Sequence, residues 1–99
     1  MLIEQKDGRT IIRLQDNLVA GIAQTVRAEL LDMIQNGRTD LVIDMDGVTM
    51  IDSAGLGVPI ATQNSLDKLQ KTLTLVNVAE SIQKILKVMR FDKHFEVRA

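Results

Sequence analysis

A chain of 99 residues has room for one domain, and at this size it buries about two-thirds of its unfolded surface around a single core. Apolar residues make up 45% and charged residues 25%, which excludes wholesale disorder and collagen-like or linker-like sequence. With 12 lysines and arginines against 13 acids, a net charge of −1, there is no general attraction to nucleic acid or an anionic membrane; with no cysteine there is no disulfide, thiolate zinc site or cysteine nucleophile.

The opening MLIEQKDGRT lacks a basic start followed by an apolar stretch, and no apolar run approaches the ~18 residues a membrane helix needs. Neither export nor membrane insertion is expected, and a reducing cytoplasm is the simplest location. No repeat or linker interrupts residues 1–99, which read as one domain. Two apolar runs flank Asp7-Gly8, a pair suited to a tight hairpin turn, so two antiparallel strands open the chain. Ile22, Val26, Leu30, Met33 and Ile34 then recur at helical spacing over 22–35, and Asn36-Gly37 ends that helix with glycine as the left-handed residue. Leu41-Val42-Ile43 reads as a central strand buried on both faces.

Residues 52–71 carry Leu56, Ile60, Leu66 and Leu69 at near-helical spacing, with Pro59 predicting a kink or a late start. Thr72 to Val76 alternates as a strand. Asn77 opens a third helix, with Glu80 completing a near capping box and Ile82, Ile85, Leu86 and Met89 forming the buried stripe. The order strand, strand, helix, strand, helix, strand, helix predicts an α/β fold: one layer of mixed sheet with an antiparallel N-terminal hairpin and parallel central strands, packed with three to four helices. Sites in such sheets favour the carboxyl ends of the strands, here residues 44–57.

In that segment Ser53 is expected to be exposed at or near the start of a helix, where free N–H groups and the helix dipole favour an anion such as a phosphoryl group. The competing reading is that Asp52 or Ser53 simply caps the helix. A hydrolase elbow needs glycine two before and two after the nucleophile, and Ile51 stands in the first place. A P-loop needs lysine and a hydroxyl residue after its last glycine, whereas Val58-Pro59 follow Gly57. Asp44, Asp46 and Asp52 form no complete metal-ligand set. The sole histidine, His94, reads as a surface residue rather than a general base. Lys84, Lys87, Arg90, Lys93 and Arg98 crowd the last helix and tail as a solvated face without aromatic residues for base stacking. Neither metal, cofactor nor catalytic residue is expected. If this segment binds a partner, the surface is Met50, Asp52, Ala54, Gly55, Leu56 and Gly57: Leu56 is either its apolar anchor, assisted by Met50, or a core residue, and the bare Gly55 and Gly57 admit a partner's backbone.

Val42 to Gly57, with its Asp52-Ser53-Ala54-Gly55-Leu56-Gly57 core, resembles the signature of the STAS domain family, specifically the small anti-sigma factor antagonists. Leu73 to Val78 resembles the family's strand and turn before its next helix, and Met89 to Val97 its ending, so the resemblance covers nearly the whole chain. It implies a partner-switching protein that, unphosphorylated, binds an anti-sigma factor with serine kinase activity and so frees a sigma factor. Ser53 matches the phosphorylated position; the kinase uses ATP that it holds itself, and a protein serine phosphatase restores binding. Two positions depart from the pattern. Leu18-Val19 stands where members often have Leu-Asp, which implies a missing polar contact near Ser53, and Pro59 replaces an ordinary helix former. Related STAS proteins serve instead as regulatory subunits of phospholipid-transport, chemotaxis or stress-signalling complexes.

Overall fold

Asp7 and Gly8 both take positive φ, 54° and 76°, the turn geometry that matches strand twist. In the computed structural model, which describes residues 1–99, β1 (Leu2–Lys6) therefore returns as β2 (Arg9–Arg13) in antiparallel register, Leu2 opposite Arg13. The chain continues through α1 (Ala20–Gly37), β3 (Asp40–Asp44), α2 (Ser53–Asp67), β4 (Leu73–Val76), α3 (Glu80–Val88), a 3-10 turn at Phe91–Lys93 and β5 (Glu96–Val97). The sheet order is β1-β2-β3-β4-β5, with every pairing after the first parallel. The expected mixed sheet is present, and β5 is added to it; two residues are too few to show a period.

Each helix connects one parallel strand to its immediate neighbour in the same direction, and right-handed crossovers of that kind place all three helices on one face. Ile12, Ile43 and Leu75 lie side by side on that face and join Leu30, Ile34, Leu66, Ile82 and Leu86 in one core cluster. The opposite face presents Ile11, Val42 and Thr74, none fully buried. This corrects the reading of 41–43 as buried on both faces: Leu41 and Ile43 are buried while Val42 between them is half-buried, because no helix covers its side. No helix is long and apolar enough to cross a membrane.

Several helix details differ from expectation. In α1 the buried positions are Ala23, Leu30 and Ile34, and Ile22 points outward, 42% exposed. Gly37 stays helical and Arg38 takes the left-handed cap, φ 53°. The predicted late start of α2 does not occur: the helix begins at Ser53 and runs through Pro59 to Asp67. Proline lacks the N–H that would reach the Gly55 carbonyl, so one helical bond is lost without ending the helix. Asn77 is not a helix cap; it turns with φ 54° and its side chain donates to Asp44 Oδ1 (3.0 Å), leaving Ala79 at the N-cap of α3. In α3 only Ile82 and Leu86 are buried, while Ile85 and Met89 are exposed, since nothing packs over that flank.

The one-sided core predicts unequal costs for adjacent residues. Ile43→Ala should destabilise by about 2–5 kcal/mol, and Val42→Ala by less than half as much, read as urea midpoints at unchanged m-value. Equal losses would mean that both sheet faces are packed.

Candidate functional site

Parallel strands bring their carboxyl ends to one sheet edge, so the segments after β2, β3 and β4 meet there. Their junctions are bonded: Leu14 N–H donates to Asp44 O (3.0 Å) and Met45 N–H to Val76 O (2.9 Å). Beyond the sheet, residues 17–20 and 49–52 run side by side, with Leu18 and Ile51 forming an isolated parallel bridge. Leu18 N–H donates to Met50 O (3.1 Å) and Asp52 N–H to Leu18 O (3.2 Å). Asn17 Oδ1 accepts from Thr49 N–H (2.8 Å) and Met50 N–H (3.1 Å), and from the Thr49 hydroxyl at 3.3 Å.

Asp52 finishes this seam. Its backbone is extended, as an N-cap requires, and Oδ1 accepts from Gly55 N–H (2.8 Å) at the start of α2. Oδ2 accepts from Ala20 N–H (2.9 Å) at the start of α1. One carboxylate thus caps two helices. Val19, the N-cap of α1, makes no side-chain capping bond of its own, and the side-chain acceptor at the start of α1 is Asp52 from across the seam. Ala20 enters α1 with φ 25°, a value L-residues seldom adopt, which makes the bond to its N–H a restraint on a strained residue.

Bonds from Gly55 N–H and then Ala20 N–H hold the Asp52 carboxyl below the usual carboxylate range. At Asp44 burial acts to raise the value, but the Asn77 amide, the Asp46 N–H and the nearby Arg13 guanidinium outweigh it, and the net shift is again downward.

Because Asp52 does the capping, Ser53 is free to be the first helical residue, and it is exposed. Ala54 and Gly57 are exposed beside it, and Met50 projects from the preceding loop, 61% exposed. Leu56 differs from the expected exposed anchor: it is half-buried and packs against the core, one helical turn inside the site. Gly55 also differs. It is buried, and a Cβ added there would collide with the Leu18 carbonyl oxygen and crowd Ile51 Cγ1 (2.8 Å), so its bareness closes the seam rather than admitting a partner. Gly57 has open space around it, and nothing within the fold demands glycine there. His94 lines a groove with Gln63 and Asp67, which puts it near the far end of α2, about 20 Å from Ser53 by helical rise. No group of three or more His, Asp or Glu is placed to hold a metal ion.

Asn17 and Ala20 escaped the sequence reading, and Leu18 entered it only as the residue before Val19. An asparagine in the polar run Gln15-Asp16-Asn17 signals a side chain that bonds backbone, but the groups it bonds lie 32 and 33 residues away.

The two glycines should respond with opposite signs. Gly55→Ala should destabilise by about 1–3 kcal/mol or more through overpacking, and Gly57→Ala should stabilise by up to about 1 kcal/mol through helix propensity, both measured by urea denaturation. For Asp52 and Asp44 the folded value lies below the unfolded one, so their stabilisation is complete above about pH 5 and is lost as pH falls through the folded value. Asp52→Asn should therefore melt lower than the parent at pH 7, and the gap should narrow on acidification. Asp44 keeps some acid sensitivity in the variant.

Comparison with known proteins accords with this architecture. BtrV of Bordetella bronchiseptica, described as a candidate anti-sigma factor antagonist, is 26% identical over 97 residues, covering 98% of this chain and 84% of that protein. The crystal structure of a candidate anti-sigma factor antagonist from Thermotoga maritima superposes with a TM-score of 0.92 at 19% identity, covering 99% of this chain and 85% of the other. The anti-sigma factor antagonist SpoIIAA, from Bacillus, is similar in its unphosphorylated form (TM-score 0.76, 17% identity, 99% and 86% covered) and its phosphorylated form (0.77, 18%, 99% and 90%). The STAS domain model matches residues 1–99, and the chain belongs to the STAS domain family.

Proposed function

We propose that this chain is an anti-sigma factor antagonist controlled by phosphorylation of Ser53, acting as one STAS domain over residues 1–99. The observation that carries the reading is the division of labour at the start of α2: Asp52 holds the helix, and the adjacent Ser53 is left exposed with no part in the cap. Unmodified, the edge formed by Met50, Asp52, Ser53, Ala54, Leu56 and Gly57 binds an anti-sigma factor that is also a serine kinase, and a sigma factor is released. Gly55 serves that surface from beneath, by letting α2 close on Leu18. The kinase brings ATP and transfers its phosphoryl group to the Ser53 hydroxyl; a protein serine phosphatase reverses the step. The chain is a substrate and supplies no catalytic residue, cofactor or metal. Its place of action is the cytoplasm, where sigma factors and ATP are found. That SpoIIAA has been solved in both phosphorylation states supports the reading by analogy.

Phosphorylation adds about −1.5 to −2 charges and three acceptor oxygens at an exposed point. The core lies away from Ser53, so the fold tolerates the group, whereas a partner packed over the same point must strip or accommodate a hydrated dianion. A penalty of about 2.8 kcal/mol weakens binding about a hundredfold.

Calorimetric titration of candidate anti-sigma kinases against the unmodified, phosphorylated and Ser53→Ala proteins tests this. The unmodified and alanine forms should bind alike, and the phosphorylated form about a hundredfold more weakly, with melting temperatures nearly unchanged. Equal affinities, with Ser53 untouched by the kinase, would favour a constitutive regulatory subunit of a transport, chemotaxis or stress-signalling complex.

A further inference from the structure

We infer that Asn17 is a positioning residue for the partner-binding edge: its amide oxygen fixes the loop that presents Met50 beside Ser53. The inference rests on the proposed binding function of that edge. Asn17 lies in the segment between β2 and α1, and outside the hydrophobic core. Its Oδ1 gathers the N–H groups of two consecutive residues, Thr49 (2.8 Å) and Met50 (3.1 Å), with the Thr49 hydroxyl at 3.3 Å. These bonds serve an exposed piece of chain, since Thr49 is exposed and the Met50 side chain is 61% exposed. A large apolar side chain facing solvent gains little from being held still in the free protein. Held in place before contact, the loop spares a complex the entropic cost of ordering it on binding.

The seam shows why this task falls to Asn17. Leu18 N–H fixes Met50 O and Asp52 fixes the far end, but the N–H groups of Thr49 and Met50 point back towards residue 17, where only a side-chain acceptor reaches them. Asn17→Leu keeps the size of the side chain and removes the acceptor. Asn17→Asp keeps an oxygen in the same place and is the rescue.

The experiment combines amide hydrogen exchange with calorimetric titration of the anti-sigma kinase identified by the Ser53 assay. In Asn17→Leu, exchange at Thr49 and Met50 should accelerate while β3 and β4 stay protected, and affinity should fall about tenfold, equivalent to about 1.4 kcal/mol. Asn17→Asp should recover most of both. Val42→Ala, on the open sheet face, controls for general destabilisation and should leave affinity unchanged. In a double-mutant cycle, Asn17→Leu should cost little further affinity once Met50 is alanine, because it acts through that side chain. Should Asn17→Leu not fold, Asn17→Ser, whose shorter side chain cannot span the gap, is read in the same way. Parental affinity in the leucine variant, or full additivity with Met50→Ala, overturns the role of Asn17 while leaving the binding function standing. An unmodified parent that binds no kinase removes the binding function itself, and the inference with it.

Discussion

The double cap made by Asp52 is the constraint on which the functional edge depends. Each helix start leaves N–H groups without intrahelical partners, and two such starts, of α1 and α2, converge where strands β2 and β3 end. A single carboxylate, with Oδ1 on Gly55 N–H and Oδ2 on Ala20 N–H, satisfies one group from each. The two loops are thereby tied to each other as well as to their helices, and the bridge between Leu18 and Ile51 continues the tie. Gly55 belongs to the same device, since the approach of α2 to the Leu18 carbonyl leaves no room for a side chain.

The electrostatics follow from that arrangement. The helix start that would favour an anion already holds the Asp52 carboxylate, so the phosphoryl group proposed on Ser53 would meet two opposed effects. The dipole contributes about 0.3–1 kcal/mol in its favour. The carboxylate of the neighbouring Asp52 would oppose it by like-charge repulsion, screened while water surrounds both groups. A partner covering the edge would exclude water and enlarge the repulsion, so the proposed modification would cost binding more than folding, as a switch requires.

The sheet is covered on one face only. A five-stranded sheet with helices on one face leaves the other face lined by Ile11, Val42 and Thr74 with a charged rim, where Arg13 pairs with Glu4 and Asp44, both at 3.5 Å. Glu4 and Arg13 are both about half exposed, so their pair contributes little to stability, whereas the Asp44 side chain is only 16% exposed. Asp44, at the end of β3, contacts Arg13 on one side and Asn77 beyond β4 on the other, tying the rim of this face to the turn after β4.

The amino-acid sequence by itself determined the elements that rest on local physics. Asp7-Gly8 specified a turn because the pair tolerates positive φ, the periodicity of Leu30 to Ile34 specified a helix, and Asp52 before Ser53 marked where α2 begins. It also carried the family resemblance through Asp52 to Gly57, and with it the expected sheet. Local pattern was insufficient wherever a residue's role depends on what arrives from elsewhere. Val42 and Ile43 are alike as apolar strand residues, and only the one-sided placement of helices decided which is buried. Gly55 and Gly57 are alike as helical glycines, and only the approach of Leu18 separated the one the fold requires from the one it leaves open. Asn17 gave no sign of its partners because they lie 32 and 33 residues along the chain, and nothing beside Ala20 in sequence showed that Asp52 would bond its N–H. Turns, periods and caps are set by neighbours in sequence; burial, close approach and shared hydrogen bonds are set by neighbours in space, which exist only once the sheet has brought its strand ends together.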